Sequence, residues 1–253
     1  MSPIITIHSP RADVGKSQLT ANLAYLLASQ GSRVAVVDLA NPSQIPQWFG
    51  LDPIRINQQW QTFLWQNSAW SMEMPDPWVA VGQGAIAILT LGQAEDNPIS
   101  GFALAQELRE ATYQNQLTQN LAELLRRIQS DILLIETNAG FNEEAFLAIA
   151  LSDLVTLVFG LEPQDFQDIA VMVDLAHQLQ VPEICLVASQ VPSDVAPEEV
   201  VVRLTETYNL PILGLLPPIP EHPTPTLYCQ TLPDHLYSKG VMAIAQQIIT
   251  LLR

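Results

Sequence analysis

Three consecutive residues near the amino terminus, Gly15, Lys16 and Ser17, have the types and order that bind phosphate. They follow an apolar run at 3–9 and open an amphipathic stretch at 17–31, the setting that a phosphate loop requires. In such a loop the backbone N–H groups and the helix N-terminus face phosphate oxygens. Lys16 would reach the β- and γ-phosphates, and the Ser17 hydroxyl would bind Mg²⁺. The triplet alone also arises by coincidence, but its context favours a phosphate loop.

Acidic residues end two further apolar runs. Asp38 lies near the end of the run at 33–40, and Glu136 lies near the end of the run at 131–137, shortly before a glycine at 140. The carboxyl ends of parallel strands meet at one edge of a sheet, where a carboxylate can hold a metal-bound water. Each acid alone is equally well a helix cap or a turn residue. Three such sites in this order favour a nucleotide site, with Glu136 where a Walker B aspartate is usual.

The elements that must position these residues follow from periodicity. Further apolar runs predict buried strands at 85–91, 153–160, 183–189 and 211–217. Amphipathic stretches between the runs predict helices at 103–129, 142–151, 164–180, 197–208 and 239–252. Strands alternating with helices predict an α/β fold with a mostly parallel, doubly wound sheet, covered by helices on both faces. The chain shows no repeat and no linker composition, so we expect one domain over 1–253.

The composition restricts the class of partner. The chain has 10 Lys+Arg against 26 Asp+Glu, a formal net charge of −16. Non-specific nucleic-acid binding and docking to anionic lipid both depend on basic surface, so this balance disfavours them; solubility is the simpler reason for it. No apolar run has the roughly 18 residues of a membrane span, and no signal peptide is recognisable, so we expect a cytoplasmic protein. Two free thiols are expected at Cys185 and Cys229.

Other side chains with chemical potential have simpler interpretations. All five tryptophans fall between residues 48 and 78, at Trp48, Trp60, Trp65, Trp70 and Trp78. They predict either a local aromatic core or a partner surface. The four histidines have no metal-ligand spacing with the cysteines and are expected to be packing or surface residues. The acids at 162–168 are expected to begin a helix, where negative charge suits the dipole.

At this point the sequence resembles the ParA/MinD family of deviant Walker A ATPases, over nearly the full chain. The resemblance rests on the phosphate loop, on "DLANPSQIPQWFGL" (38–51) as a first switch and on "DILLIETNAG" (131–140) as a second. It continues in "LSDLVTLVFGLEPQDFQD", "YNLPILGLLPPIPE" and the closing "GVMAIAQQIITLLR". The resemblance implies binding of ATP (or ADP) and Mg²⁺, a homodimer formed on nucleotide binding, and a protein partner or cargo that the dimer positions.

The resemblance also implies a set of site residues. Catalytic roles fall on Lys16, Arg11 and Asp38, and metal binding on Ser17, Asp38 and Glu136. Nucleotide binding falls on a larger set: Arg11, Ala12, Asp13, Val14, Gly15, Lys16, Ser17, Gln18 and Ser189. Ser189, with Gln190 beside it, stands where the family often has the asparagine that reads adenine.

The loop departs from the family pattern Lys-Gly-Gly-x-Gly-Lys-Ser/Thr. Arg11 replaces the signature lysine that reaches a phosphate across the dimer, and it keeps the charge. Ala12 and Asp13 replace two glycines. A carboxylate about 5 Å from a phosphate costs on the order of 3 kcal/mol at an effective dielectric near 20, unless Asp13 points outward.

The switches depart as well. Ala40 replaces the second acid of Asp-x-Asp, so the usual group that orients the attacking water is missing. Glu136 is one methylene longer than the usual aspartate. Two hypotheses follow: a nucleotide-dependent dimeric switch that hydrolyses slowly or not at all, and a pseudo-ATPase scaffold that keeps only the fold. DNA partitioning is disfavoured by the acidic charge. MinD-like membrane targeting needs a basic amphipathic tail, which we do not expect after the last helix.

Overall fold

The computed structural model describes residues 2–40, 43–52, 56, 77–90, 129–219 and 226–252. Within these ranges the chain forms eight strands and seven helices. The strands are β1 Ile4–His8, β2 Arg33–Asp38, β3 Trp78–Val81, β4 Gly84–Thr90, β5 Ile132–Glu136, β6 Leu154–Phe159, β7 Glu183–Ala188 and β8 Ile212–Leu215. The helices are α1 Lys16–Ser29, α2 Ile45–Trp48, α3 Glu143–Ala150, α4 Pro163–Gln178, α5 Pro197–Tyr208, α6 Tyr228–Thr231 and α7 Leu236–Leu251.

All eight strands join one sheet in the order β3-β4-β2-β5-β1-β6-β7-β8. Every neighbouring pair is parallel except β3 and β4, which confirms the predicted mostly parallel sheet. β1 pairs with β5 on one side and with β6 on the other. The loop that follows β1 therefore emerges near the middle of the carboxyl edge, where α/β sheets bind ligands.

Helices cover both faces of this sheet, as the sequence predicts. One core contains Ile5 and Ile7 of β1 with residues of α1 and α7, and a second core contains Val155 and Leu157 of β6 with residues of α4. Side chains along a strand alternate between faces, so β6 contributes Val158 to the first core and Phe159 to the second. Central strands buried on both faces explain the continuous apolar runs.

The first strand of the β3–β4 hairpin was not predicted from the sequence. β3 is a short antiparallel edge strand, joined to β4 through Gly82 and Gln83. Its Trp78 ring lies under the Arg33 guanidinium, 4.4 Å from the ring centroid. Its four residues, with Trp78, Val79 and Val81 large and apolar, do not alternate between apolar and polar types. The segment therefore lacks the pattern that indicates a half-buried strand. Edge pairing, rather than local pattern, makes this segment a strand.

Several sequence predictions can be compared directly with the described residues. Trp48 is partly buried and packs against the first core, whereas Trp60, Trp65 and Trp70 lie outside the described residues. The helix predicted at 103–129 also lies outside them, apart from Gln129. Cys185 and Cys229 are both buried and free, as expected. Across the described ranges, no helix combines the length and the hydropathy that crossing a membrane demands.

Candidate functional site

The loop between β1 and α1 has the geometry of an anion-binding turn. Gly15 precedes α1 with φ of 82°, a left-handed conformation that glycine adopts without strain. Asp13 also has a positive φ of 60°, which aspartate tolerates better than most residues. In the described chain no side chain caps the N-terminus of α1, so the first N–H groups of the helix remain available to a bound anion. Asp13 is exposed to solvent, which screens its charge.

Lys16 and Ser17 converge on Glu136. Lys16 Nζ donates to Glu136 Oε1 at 2.9 Å, and the side chains of the two residues are 9% and 0% exposed. The Ser17 hydroxyl donates to the same carboxylate oxygen. β5 places Glu136 directly beside Asp38 of β2, because the two residues are partners in the parallel register. The structure thus brings together four of the residues that the sequence predicts for phosphate and metal.

Asp38 is fully buried at the end of β2. Its carboxylate accepts hydrogen bonds from the backbone N–H of Ala40, at 2.9 Å, and from the hydroxyl of Ser43. Burial, and then the nearby charge of Glu136, raise the pKa of Asp38 to about 7. Two acids placed this close favour either a shared proton or a cation between them.

The donor set at this edge fits a divalent cation. The second oxygen of Glu136, Oε2, is buried and has no hydrogen-bond partner among the described residues. With Asp38 and the Ser17 hydroxyl it makes a set of hard oxygen ligands, the kind that Mg²⁺ prefers. No group of three or more His, Cys, Asp and Glu side chains within the described ranges is arranged to hold a metal. Mg²⁺ commonly takes one or two carboxylates and completes its shell with water and phosphate oxygens, so two acids suffice.

Arg11 lies apart from this group. Its guanidinium donates to Glu162 Oε2 at 2.6 Å and to Asp165 Oδ1 at 3.1 Å. Those two acids form the capping box that begins α4, which confirms the helix start predicted at 162–168. Arg11 is 42% exposed, whereas Asp165 is buried. The structure therefore ties Arg11 to α4 within its own chain and leaves it accessible from outside.

The remaining predicted site residues lie around the loop. Gln190, with φ of 57°, donates from Nε2 to the carbonyl of Asp13 at 2.5 Å. The buried Ser189 contacts Gly15, since its hydroxyl oxygen is 3.4 Å from where a Gly15 Cβ would lie. These contacts bring the loop after β7 to the phosphate loop. Gln18 donates to the carbonyl of Thr226 at 3.1 Å.

The last two predicted loop residues differ in burial. Ala12 is exposed, whereas Val14 is buried and belongs to the first core.

Sequence reasoning missed the contacts of Asn138. Its Nδ2 donates to the carbonyl of Leu39 at 2.8 Å and to Glu144 Oε2 at 3.3 Å. Asn138 therefore links the segment after β2, the segment after β5 and the first turn of α3. Its position two residues after Glu136, at the same sheet edge, was the available signal. Ser43 was also missed, because no local pattern indicates its contact with Asp38.

The site contains two buried groups whose titrations have opposite effects on stability. His8 is buried at the end of β1, with Nδ1 2.7 Å from the Thr137 hydroxyl. Burial, and then the charge of Lys16, lower the pKa of His8 from 6.5 to about 3. As the pH falls below 6.5, His8 becomes protonated in the unfolded chain but stays neutral in the folded chain, so the free energy of unfolding decreases. Asp38 has the reverse effect, because folding raises its pKa from 3.8 to about 7. The folded chain binds this proton more tightly than the unfolded chain does, and the resulting stabilisation is lost as the pH rises through this range.

We therefore expect Asp38→Asn and His8→Gln to change the pH dependence of stability in opposite directions. Without the Asp38 carboxyl, the free energy of unfolding should rise more steeply between pH 4 and 7 than in the wild type. Without the His8 imidazole it should rise less steeply or fall. Urea unfolding followed by circular dichroism at several pH values measures both slopes. Equal slopes in all three proteins would contradict the expected pKa shifts.

A phosphate-type loop between a central parallel strand and a helix, with acids at the ends of neighbouring strands, defines the class of P-loop nucleotide-binding domains. Residues 5–224 match the sequence profile of the CobQ/CobB/MinD/ParA nucleotide binding domain. The chain belongs to this family, which confirms the resemblance seen in the sequence.

Individual relatives agree with this assignment. Over 98% of its length the chain is 26% identical to an uncharacterised ATP-binding protein of Methanocaldococcus jannaschii, of which 88% is covered. The fold is similar to that of the MinC:MinD cell division protein complex of Aquifex aeolicus, with a TM-score of 0.72, 17% identity and coverage of 98% of this chain and 96% of that chain. It is also similar to a putative plasmid partition protein of Borrelia burgdorferi bound to AMPPNP, with a TM-score of 0.70, 17% identity and 98% coverage of each chain. These two structures support the fold.

Proposed function

We propose that this chain is an ATP-binding switch of the ParA/MinD type. It binds ATP with Mg²⁺ at residues 10–18, forms a homodimer in response, and uses the dimer to position a protein partner. Residues 1–253 act as one domain in this proposal. The observation that carries it is the convergence of Lys16 and Ser17 on Glu136, beside Asp38 and at the uncapped N-terminus of α1.

Each residue of the site has a separate part in binding. Lys16 and the first N–H groups of α1 bind the phosphates. Ser17, Asp38 and Glu136 hold Mg²⁺, which neutralises phosphate charge when it is bound. The loop at 189–190 contacts the phosphate loop from the side, and we assign it to the base. The names of the relatives that bind ATP or AMPPNP support the choice of an adenine nucleotide.

Hydrolysis is slow or absent in this proposal. Ala40 cannot orient or activate a water, and its N–H occupies one oxygen of Asp38. Ser43 donates to the other oxygen of Asp38, and each oxygen keeps a lone pair for Mg²⁺. The alanine at position 40 also favours the second candidate, a pseudo-ATPase scaffold, which keeps the fold without turnover.

Isothermal titration of ATP in the presence of Mg²⁺ tests nucleotide binding directly. We expect saturable binding by the wild type and a loss of at least about 100-fold in Lys16→Gln, which removes the charge but keeps a donor for Glu136. Circular dichroism of Lys16→Gln shows whether the variant is folded. Absence of binding in the wild type would contradict the switch and leave the scaffold. A phosphate-release assay then separates a slow ATPase from a pseudo-ATPase.

The dimer is tested through Arg11, which is accessible and replaces the family's signature lysine. We expect light scattering to show a dimer of the wild type with ATP and Mg²⁺, and a monomer of Arg11→Ala under the same conditions. ATP affinity of the Arg11→Ala monomer should change less than about tenfold, because among the described residues the Arg11 guanidinium bonds to Glu162 and Asp165 at the start of α4. Arg11→Lys is the matched control and should restore dimerisation. Dimers of Arg11→Ala equal to the wild type would contradict a role between subunits.

The partner is proposed to be a protein and not a nucleic acid. A formal net charge of −16 opposes counterion release from DNA. The solved MinC:MinD complex supports a protein partner for this fold. Retention of the chain on a DNA column at physiological salt would contradict this choice.

A further inference from the structure

We propose that Glu136 exchanges one counterion for another, binding Lys16 in the metal-free chain and a divalent cation when nucleotide is bound. The lysine is free to bind phosphate only after this exchange. The inference rests on the proposed ATP–Mg²⁺ site and goes beyond it, because it makes the carboxylate an intramolecular competitor of the nucleotide phosphate.

The contacts of Glu136 carry the proposal. A single oxygen, Oε1, accepts both from Lys16 Nζ at 2.9 Å and from the Ser17 hydroxyl. Those are the two side chains of the loop that would otherwise meet phosphate and metal. Glu136 is fully buried and Lys16 nearly so, and water therefore screens this pair little. Through these contacts the carboxylate takes the place of an anion at the loop.

The length of the Glu136 side chain makes these contacts possible. The backbone of residue 136 is held by register on both sides, opposite Ile7 of β1 and Asp38 of β2. From the same Cα an aspartate reaches about 1.5 Å less far, the length of one C–C bond. An acid of the usual length would therefore leave Lys16 less tightly paired. Glu136, whose side chain is longer than that of the usual aspartate, is therefore a candidate metal ligand and also a counterion for Lys16 within the chain.

The exchange follows from the cost of an unpaired buried charge. If a nucleotide without metal took Lys16, Glu136 would remain buried, without a counterion and close to a polyphosphate. A cation on Glu136 removes that penalty. The carboxylate has a free oxygen to offer one, since its Oε2 is buried and has no hydrogen-bond partner among the described residues. Asp38 adds a second carboxylate beside it. Metal and nucleotide should therefore bind together far better than either binds alone.

Titration calorimetry with ATP, in Mg²⁺ and in excess EDTA, measures the coupling. Glu136→Gln removes the negative charge but keeps an oxygen that accepts from Lys16 and Ser17. We expect this variant to bind metal-free ATP about tenfold or more tightly than the wild type does, and to gain much less from Mg²⁺. Glu136→Asp, with its shorter reach, should fall between them and serves if Glu136→Gln fails to fold.

A matched control separates the ion pair from general charge removal. Glu144 lies at the same edge and contacts Asn138 instead of Lys16. Glu144→Gln should change metal-free ATP affinity by less than about twofold, because a partly exposed charge is screened.

The outcomes distinguish the two proposals. Failure of every variant to bind ATP, with or without Mg²⁺, would contradict the proposed function. Binding of ATP by the wild type with the same affinity in Mg²⁺ and EDTA would overturn the exchange alone. So would a Glu136→Gln variant whose metal-free affinity equals that of the wild type. Tighter metal-free binding by Glu136→Gln is the result that supports the exchange, since loss of a simple metal ligand would not produce it.

Discussion

Lys16→Met is expected to lower the free energy of unfolding by about 3 kcal/mol, because it leaves a buried carboxylate without its counterion. Lys16 is 9% exposed and Glu136 is not exposed at all, so water cannot solvate the carboxylate that loses its partner. Methionine keeps most of the apolar stem of lysine, and the loss therefore reports the ion pair and not a cavity. Urea unfolding followed by circular dichroism, in the absence of metal, measures this difference.

The double variant Lys16→Met/Glu136→Gln is the control for that prediction. Removing both charges should recover most of the lost stability, since a buried pair contributes little net energy over a neutral replacement. A double variant as unstable as Lys16→Met would show that the lysine stabilises the fold through packing instead. Mg²⁺ should also rescue Lys16→Met in part, if the cation can take the place of the ammonium on Glu136.

The second large effect is expected at Gly84, the first residue of β4. A Cβ there would lie 2.2 Å from the carbonyl oxygen of Ser32 and 2.5 Å from that of Ala28. Both contacts are backbone atoms near the end of α1, which cannot move as a flexible side chain would. Gly84→Ala should therefore destabilise the protein by about 3 kcal/mol, through overpacking. For a chain of this size the melting temperature would fall by roughly 6–12 °C.

Gly50→Ala provides the matched comparison. Among the described residues other than its two chain neighbours, no atom lies within 4 Å of a Cβ at Gly50, and its φ of +69° is what opposes a side chain. We expect a cost of about 1–2 kcal/mol, the price of a left-handed conformation. Melting curves of the two variants measured side by side separate steric overlap from backbone strain. Equal losses would contradict the close packing of the β3–β4 hairpin against α1.

Much of the fold was predictable because the interior strands are apolar on both faces. The runs around β1, β2, β5 and β6 carry this signal in their composition, and helices such as α5 carry it in their period. β3 was not predictable in this way. It is a four-residue edge strand whose pairing with β4 comes from the hairpin and not from its own pattern.

The candidate site also has features that the sequence predicts and features that only the structure shows. The Gly15-Lys16-Ser17 triplet, the acid at the end of β2 and the acid at the end of β5 were readable from residue type and order. Their convergence at one edge followed from the parallel sheet that the strand pattern predicts. The sequence by itself therefore determined the class of fold and the family, and it predicted the place where a nucleotide would bind.

Only the tertiary structure decided which side chains pair. The contact of Lys16 and Ser17 with Glu136 spans about 120 residues, and that of Arg11 with Glu162 and Asp165 spans more than 150. Such contacts depend on register between strands that are distant in the chain, and local propensity carries no information about them. For the same reason, the sequence indicates only that Glu136 is a metal ligand one methylene longer than usual. The structure shows that Glu136 is also the counterion of Lys16.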